Sequence, residues 1–386
     1  MFPILSIFFS CHSIHVLPPP DIVQNIQPTD IPAVPQETSK SNVESMNTEY
    51  YLGSQEMEME QFQRFAAQIQ EIQKIQSEKQ DQPLQRGFHG KSHGCLQGEM
   101  KLIEDRDPRS RYGIFADEYS TWPVWVRFSN GVGWEQPDKK LDARGIAIKV
   151  LDVEGEKLMS DETSSQDFLL TNSPTPVGKN AEEFMRFAHK NTKSNASVIT
   201  YALTKPATVA PAAFGTQPVD SLISTQYWSG SAYHLGAHQA VKWTVKSCSE
   251  YNQKPSRKDG NYLQKDLKEA SLSGICFRLY VQFQVDPKKT PIENAAKIWK
   301  IQDSPEIPVA EIHLPAQDFL TAERVSMCRS LSFNPWHSIS AHQPMGHINR
   351  ARRYVYDASR NYRGGSIEPH DENILAPPNN MIPLEE

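Results

Sequence analysis

Two histidines and one cysteine stand close together early in the chain. The segment 86–95 has the sequence RGFHGKSHGC, so His89, His93 and Cys95 fall within seven positions. Imidazole and thiolate groups are zinc ligands, but a structural zinc site takes four ligands and the sequence offers no second cluster to complete it. A glycine-rich turn with solvated histidines is therefore the default interpretation of this segment taken alone.

An arginine stands inside a segment whose other residues predict a buried strand. Arg127 follows Trp125 and Val126, precedes Phe128, and is separated by one residue from Ser129. Burying a guanidinium in such a strand is costly unless an anionic group pairs with it. The segment therefore indicates either an anion-binding site or an edge strand whose arginine points into solvent.

Arginines and tyrosines alternate over the segment 348–363, which predicts a late helix. Arg352 and Tyr356 are four positions apart and therefore lie on one helical face. A guanidinium beside a phenol lowers the pKa of the phenol by favouring its charged form, and a phenolate is a metal ligand. Arg363 lies seven positions beyond Tyr356 on the same face, within reach of a carboxylate of whatever Tyr356 binds. The alternative is a solvated helical face or a weak anion-binding patch.

These candidates need a scaffold, and the hydrophobic pattern predicts one of mixed type. An amphipathic helix is expected over 56–80, packed on the main domain or on a partner chain. Its apolar stripe consists of Phe62, Phe65, Ala66, Ile69, Ile72 and Ile75. Strands are expected at 124–128, 145–150, 240–246 and 277–285, and further helices at 181–191, 260–271 and 348–363, the last capped by Asn349. This order predicts an α+β domain around an antiparallel sheet or barrel.

Composition divides the chain into four parts. Prolines and polar residues dominate 1–50, which predicts a disordered or poorly ordered leader, and the Pro- and Asn-rich stretch 366–386 predicts an extended tail. Between them we expect an N-terminal helical region over 51–84 and a globular domain over 85–365.

Charge and cysteine content narrow the class of protein. The 386 residues carry a formal net charge of −6, which argues against a nucleic-acid-binding protein, and no apolar run has the ~18–20 residues of a membrane span. Five cysteines at long spacings argue against a disulfide framework and for a reducing compartment. The first twenty residues lack the positive charge and the cleavage site of a signal peptide, so we expect a cytoplasmic protein.

Taken in order, these segments resemble the catalase superfamily. The resemblance covers roughly 85–365 and is carried by short motifs in the family's order. They are Arg86 to His89, Val126 to Ser129, Asp142 to Lys149, Asn172 to Pro174 with Phe184, Asn261 to Leu267, Leu331 to Pro335, and Arg352 to Tyr356. The resemblance implies a catalase-like antiparallel β-barrel core with surrounding helices, haem b as the cofactor and a peroxide as the small-molecule substrate.

The resemblance also implies roles for individual residues. Tyr356 would bind the haem iron through its phenolate, and Arg352 would keep that phenol deprotonated. His89 would be the distal acid–base group, and Ser129 would orient it. The remaining haem-binding roles would fall to Arg86, Arg127 and Arg363 at the propionates, to Phe184 against the porphyrin and to Phe333 on the proximal side.

Two positions depart from the catalase pattern. Full catalases have a distal asparagine, for which a gapless match supplies Thr171 and a one-residue shift supplies Asn172. Because neighbours on a strand point to opposite faces, only one of the two can reach the distal side. Phe88 precedes His89, where typical catalases have a smaller aliphatic residue and the related allene oxide synthases have threonine.

The resemblance favours a haem-dependent enzyme that reduces or dismutates peroxides. A fatty-acid hydroperoxide isomerase of the allene oxide synthase type is the first alternative, although Phe88 speaks against it. A haem-binding protein without significant turnover is the second. Because the chain is shorter than a typical catalase, we expect the family's C-terminal helical region to be absent, and the chain resembles the small, minimal-core catalase-related proteins. The resemblance leaves a homo-oligomer open.

Overall fold

A computed structural model describes residues 53–159, 164–193 and 195–365. The predicted leader over 1–50 and the predicted tail over 366–386 lie outside these ranges, so both stay predictions. Within the described ranges, no helix combines the length and the apolar character needed to cross a membrane.

Nine antiparallel strands form the centre of the described chain. They are β1 (Ser92–Leu102), β2 (Thr121–Asn130), β3 (Arg144–Val150), β4 (Gln166–Thr171), β5 (Tyr227–Trp228), β6 (Tyr233–His234), β7 (Ala240–Ser247), β8 (Ile275–Phe283) and β9 (Glu306–Leu314). The sheet runs β5-β4-β3-β2-β1-β9-β8-β7-β6, and β5 also pairs with β7. This last pairing, with Tyr227 opposite Val245, closes eight strands into a barrel and leaves β6 attached beside β7.

The strands bury alternate side chains inside the barrel. Val126, Ile148 and Phe168 lie opposite one another on β2, β3 and β4 and belong to the main apolar core together with Trp243. Burying these branched and aromatic side chains supplies the main driving force for folding. Since side chains alternate along a strand, the residues between them point away from this core, and Arg127 is among these.

Seven helices surround the barrel in the described part of the chain. They are α1 (Gln55–Gln80), α2 (Ala181–Lys193), α3 (Asn195–Thr204), α4 (Pro206–Ala213), α5 (Tyr262–Ser271), α6 (Ala322–Ser330) and α7 (His347–Tyr362). The architecture is therefore an α+β fold with an antiparallel β-barrel core, as the sequence predicts.

The first helix packs its apolar stripe against the main domain. Phe62, Phe65 and Ile69 on α1 form one buried cluster with Met185 of α2 and Val355 of α7. At one end of α1, Arg350 of α7 pairs with Glu58 at 2.8 Å and with Glu293 at 2.8 Å. Of the two packing surfaces expected for this stripe, the structure selects the main domain.

The start of α7 differs from the sequence prediction. The helix is preceded by Gly346 at φ +84°, where an added Cβ would lie 3.0 Å from the carbonyl oxygen of Ile292. Asn349, expected as the cap, is instead a buried residue inside the helix. Its amide donates to the carbonyl of Ala232 at 2.8 Å and accepts from Arg352 at 3.1 Å. Its side chain thus fixes the helix and its arginine rather than capping the helix end.

The cysteine prediction is wrong for four of the five cysteines. Cys95 is bonded to Cys328 and Cys248 to Cys276, with Cα–Cα distances of 5.7 and 5.1 Å. Sequence separations of 233 and 28 residues gave no compact pattern, because the first pair meets only when α6 packs on β1 and the second only when β7 pairs with β8. Cys11 lies outside the described residues. The expected cytoplasmic location was supported in part by the prediction of reduced cysteines, and the two disulfides remove that support. The location stays an untested prediction.

Candidate functional site

A cavity of about 100 Å³ lies between the outer face of the barrel and helix α7. Strands β2, β3 and β4 supply one wall, α7 supplies a second, and the segment 86–89 before β1 completes it together with 332–333 after α6. The cavity therefore collects residues that are distant in sequence.

The barrel wall of the cavity consists of two cross-strand rows. Residues that lie directly opposite one another in a sheet point to the same face, so each row is a unit. The rows are Arg127–Ala147–Leu169 and Ser129–Gly145–Thr171. All six residues line the cavity. Register therefore decides which side chains of β2 to β4 reach it.

His89 enters the cavity from an unusual backbone conformation. Its φ is +56°, in the left-handed region, and its N–H donates to the carbonyl of Gly131 at 2.8 Å. The ring nitrogen Nδ1 lies 3.0 Å from the Ser129 hydroxyl oxygen. Gly145 makes room for this pair, because a Cβ there would lie 2.6 Å from the ring. The position of the imidazole is therefore fixed by Ser129 on β2, by the space at Gly145 and by the left-handed turn at His89 itself.

The imidazole of His89 is neutral across the physiological pH range. Burial, followed by the nearby charges of Arg127, Arg352 and Arg86, lowers its pKa to about 3. A neutral imidazole offers one ring nitrogen as a proton acceptor, which is the property of a general base.

Helix α7 contributes a tyrosine and an arginine to the wall of the cavity. The guanidinium carbon of Arg352 lies 5.6 Å from the centre of the Tyr356 ring. Burial by itself would lower the pKa of Arg352, yet interactions with Tyr356 and Tyr233 raise it above the usual value. Both α7 residues line the cavity, as their four-residue spacing predicts.

The cavity is strongly cationic. Among the described residues that line it there is no aspartate or glutamate, whereas arginine occurs five times. These arginines are Arg86, Arg127, Arg352, Arg360 and Arg363. Like charges that share a low-dielectric space repel one another, so the cavity is suited to an anionic occupant.

Arg127 shows this need for an anion most clearly. Its side chain is 3% exposed, and it donates to the backbone carbonyls of His89 at 2.8 Å and Gly90 at 3.3 Å, while its Nε has no hydrogen-bond partner. Burial, followed by the charge of Arg363, lowers its pKa to about 9. Arg86 likewise contacts only backbone carbonyls, those of Leu331 and Cys328. A buried charge is normally paired with an opposite charge. Since the guanidinium groups of Arg127 and Arg86 contact backbone carbonyls, an anionic ligand can pair with them.

Two predicted site residues do not reach the cavity. Asn172 lies one residue beyond the row of Thr171, and its amide oxygen accepts from the backbone N–H of Arg144 at 2.7 Å. Thr171, by contrast, lines the cavity, as strand alternation requires. Phe184 stands behind Phe88, with their ring centres 5.3 Å apart, and does not line the cavity. The structure therefore does not bring Asn172 and Phe184 to the cavity surface together with the other predicted site residues.

The segment 86–95 is not the turn with solvated histidines that is its default interpretation, and it does not assemble the zinc ligands either. Its three candidate ligands separate, because His89 lies in the cavity, Cys95 is bonded to Cys328, and His93 is fully buried elsewhere. The Nε2 atom of His93 lies 2.8 Å from the amide oxygen of Asn130. Alternation along β1 and the turn before it send these side chains in different directions.

Several lining residues escaped the sequence analysis. Gly145 stood inside a recognised motif, but its missing side chain matters only once His89 is placed beside it. Arg360 lies four positions after Tyr356, so helical spacing could have placed it on the cavity face. Ile69 of α1 also lines the cavity, and nothing in the sequence relates it to residues some three hundred positions later.

Comparison with solved structures defines the class of fold. A fungal catalase superposes with a TM-score of 0.61 at 19% identity, over 74% of this chain and 60% of that chain. Catalase A from Saccharomyces cerevisiae gives 0.61 at 20% identity, with 74% and 62% covered. A bacterial catalase gives 0.60 at 17% identity, with 81% and 65% covered. The protein therefore has a catalase-like fold.

The likeness is one of structure rather than of sequence. No family model matches the chain, and no curated protein matches it either. The chain spans about 60–65% of the length of these catalases. What the cavity binds and does must therefore be argued from its own residues.

Proposed function

We propose that the chain binds haem b in this cavity and acts on peroxides. The observation that carries the proposal is that one cationic cavity contains both a neutral His89 imidazole and the Arg352–Tyr356 pair. Haem combines an iron, an apolar ring and two carboxylates. In the lining, a phenol could bind the iron, and apolar side chains such as Phe333 and Val355 could contact the ring. Guanidinium groups could pair with the carboxylates.

Each part of the lining has a role in holding the cofactor. Tyr356 would be the iron ligand, and the adjacent charge of Arg352 favours the phenolate form that ligation requires. Arg86, Arg127 and Arg363 would pair with the propionates, which supplies the anionic partner that the buried Arg127 otherwise lacks. When bound, haem iron supplies the redox chemistry that the amino acids cannot.

The protein's own contribution to the reaction is a proton transfer. His89, being neutral, would accept a proton from one peroxide oxygen and return it to the other oxygen as the O–O bond breaks. Ser129 would hold the ring through Nδ1, so that Nε2 is the atom that exchanges the proton. Positioned acid–base groups of this kind typically accelerate reactions by about 10²–10⁴-fold.

The distal side favours peroxidase action over fast dismutation of hydrogen peroxide. Thr171 stands where catalases have an asparagine, so a distal amide is missing. Phe88 lines the cavity and packs edge-on against Phe184, which narrows the space beside His89. Because the Phe88 ring cannot hydrogen-bond to His89, these residues do not favour the hydroperoxide isomerase alternative.

The decisive experiment is the absorption spectrum of the purified, haem-loaded protein. We expect the Soret and charge-transfer bands of ferric haem with a phenolate ligand, and their loss in Tyr356→Phe. Tyr354→Phe is the matched control, because Tyr354 lies on the same helix but stacks on Phe62 at 5.7 Å. An unchanged spectrum in Tyr356→Phe would refute the assignment of the iron ligand.

Three activity assays then distinguish the candidate functions. Oxygen release from hydrogen peroxide measures dismutation, oxidation of a phenolic donor measures peroxidase action, and product analysis with a lipid hydroperoxide measures isomerisation. We expect donor oxidation to dominate. Absence of all three activities in haem-loaded protein would favour a haem-binding protein without turnover. Size-exclusion chromatography of the same sample would decide between a monomer and a homo-oligomer.

A further inference from the structure

Three potential metal ligands meet on the outer face of the barrel, away from the cavity. Cys276 on β8 lies directly opposite His313 on β9, and Glu311 is two residues before His313 on the same strand. One ligand atom from each of these residues lies within 4.8 Å of the other two. The Oε2 atom of Glu311 lies 3.2 Å from Nε2 of His313. Sulfur, nitrogen and oxygen donors thus converge at one place.

This cluster is closed to metals while Cys276 is oxidised. Cys276 is bonded to Cys248, and the sulfur ligand of a metal is a thiolate rather than a disulfide sulfur. Both cysteines are partly exposed, and the side chain of His313 is 45% exposed, so a small dithiol and a metal ion can reach the group. By contrast, Cys95 and Cys328 are buried, at 1% and 4% exposure.

We propose that reduction of the Cys248–Cys276 disulfide opens a zinc site formed by Cys276, His313 and Glu311. A dithiol reductant gives two electrons and two protons to the disulfide and becomes a cyclic disulfide itself. The ion then displaces the proton of the Cys276 thiol, and a water fills the fourth position. Zinc is the ion that this mixture of thiolate, imidazole and carboxylate suits best.

A neighbouring arginine prepares the carboxylate for this role. Arg278 donates to Oε1 of Glu311 through Nε at 3.0 Å, which leaves Oε2 directed towards His313. Zinc bonds are about 2.0–2.3 Å long, so ligand atoms on one ion lie roughly 3–4 Å apart. The ligand atoms of Cys276, His313 and Glu311 now lie within 4.8 Å of one another, so small side-chain rotations bring them to the spacing that one zinc ion requires.

The test is a zinc titration of the full chain in competition with a chromophoric chelator. We expect the oxidised protein to lack this site and the Cys248→Ser variant to bind one zinc without any reductant. In that variant the Cys276 thiol is permanently free while the Cys95–Cys328 disulfide stays intact. Cobalt in place of zinc should give a thiolate-to-metal absorption band in Cys248→Ser and none in the oxidised protein.

Two further variants make the assignment specific. In the Cys248→Ser background, His313→Ala should weaken zinc binding by more than about tenfold. His189→Ala, on helix α2, is the matched control and should leave the affinity unchanged. The proposal is wrong if Cys248→Ser binds zinc no more tightly than the oxidised protein, or if His313→Ala binds it as tightly as its parent. Circular dichroism establishes that each variant is folded, and none of these readouts depends on haem.

Discussion

The Nδ1 atom of His89 lies 3.0 Å from the hydroxyl oxygen of Ser129, and the absent side chain of Gly145 permits this contact. The two residues come from different parts of the cavity wall, a left-handed turn and the second strand of the barrel. Their contact leaves Nε2 as the ring atom that can serve the cavity. The proposed proton transfer depends on this geometry.

Removing the imidazole should abolish most peroxide chemistry without disturbing haem binding. We expect His89→Ala to lower the rate of donor oxidation by about 10²–10⁴-fold, because the positioned proton acceptor is lost. Ser129→Ala should reduce the rate less, because the ring stays in place but loses its orienting partner. Steady-state rates and the Soret band measured on the same samples separate the two effects. Equal rates in wild type and His89→Ala would exclude a distal role.

A single methyl group at position 145 should displace the same ring. The Cβ of Gly145→Ala would lie 2.6 Å from His89 and 3.1 Å from the Ser129 hydroxyl, so the ring must move. We expect a large loss of activity and a destabilisation of roughly 1–3 kcal/mol from overpacking. Gly260→Ala is the control, because its Cβ would meet no atom closer than 3.7 Å. Full activity in Gly145→Ala would mean that the ring position is not critical.

The cationic lining should govern cofactor affinity. Arg127→Gln removes a buried charge that no aspartate or glutamate of the described lining neutralises, and with it a charge-assisted bond to a propionate. Such bonds contribute about 1.5–3 kcal/mol, so haem affinity should fall roughly tenfold or more. Haem titration monitored at the Soret band measures the change, and the rise in melting temperature on adding haem should shrink in parallel.

Arg64 on α1 is exposed, so Arg64→Gln is the control for the loss of one positive charge. Its haem affinity should equal that of the wild type. If Arg127→Gln also binds haem like the wild type, the cavity arginine does not contact the anionic part of the ligand.

Acid should destabilise the protein through buried neutral histidines. The fully buried His342 accepts a hydrogen bond from the N–H of Ile114 at 3.1 Å, and burial lowers its pKa from 6.5 to about 3. Between these values the unfolded chain binds a proton that the folded chain does not, so stability is lost as pH falls below about 6.5. Between these two pKa values, His342 alone changes the free energy of unfolding by about 1.4 kcal/mol per pH unit.

Denaturant unfolding at several pH values tests this linkage. In His342→Gln the slope of unfolding free energy against pH between about 4 and 6 should decrease by the contribution of one proton. Above pH 7 the histidine is neutral in both states, so the difference between variant and wild type should there be independent of pH. An unchanged acid slope would show that His342 titrates alike in both states.

Local structure was the part of the fold that sequence could predict well. The last helix, expected over 348–363, runs from His347 to Tyr362, and the first, expected over 56–80, begins at Gln55 and ends at Gln80. In both, apolar residues at three- and four-residue steps specify one buried face. Strand β3, expected over 145–150, begins at Arg144 because pairing with Asn130 extends it by one residue.

Pairing across the barrel was the part that sequence could not supply. Strand β5 has only two residues, Tyr227–Trp228, yet it closes the barrel by joining β4 and β7. Such a short strand has no periodicity, and its existence depends on partners far away in the chain. The two disulfides, predicted absent, also depend on tertiary contacts: Cys248 and Cys276 meet where β7 pairs with β8, and Cys95 and Cys328 meet where α6 packs on β1.

The sequence by itself determined the elements and the reactive groups. Helical spacing put Arg352 and Tyr356 on one face, because backbone geometry fixes which neighbours share a face. The apolar setting of Arg127 indicated either an anion or an edge strand. Tertiary structure decided which faces meet. The register of β2 to β4 turned Thr171, rather than Asn172, towards the cavity, and the turn at His89 brought its ring beside Ser129. Register and closure arise from contacts between strands that are separate in the sequence, so only the folded chain could settle them.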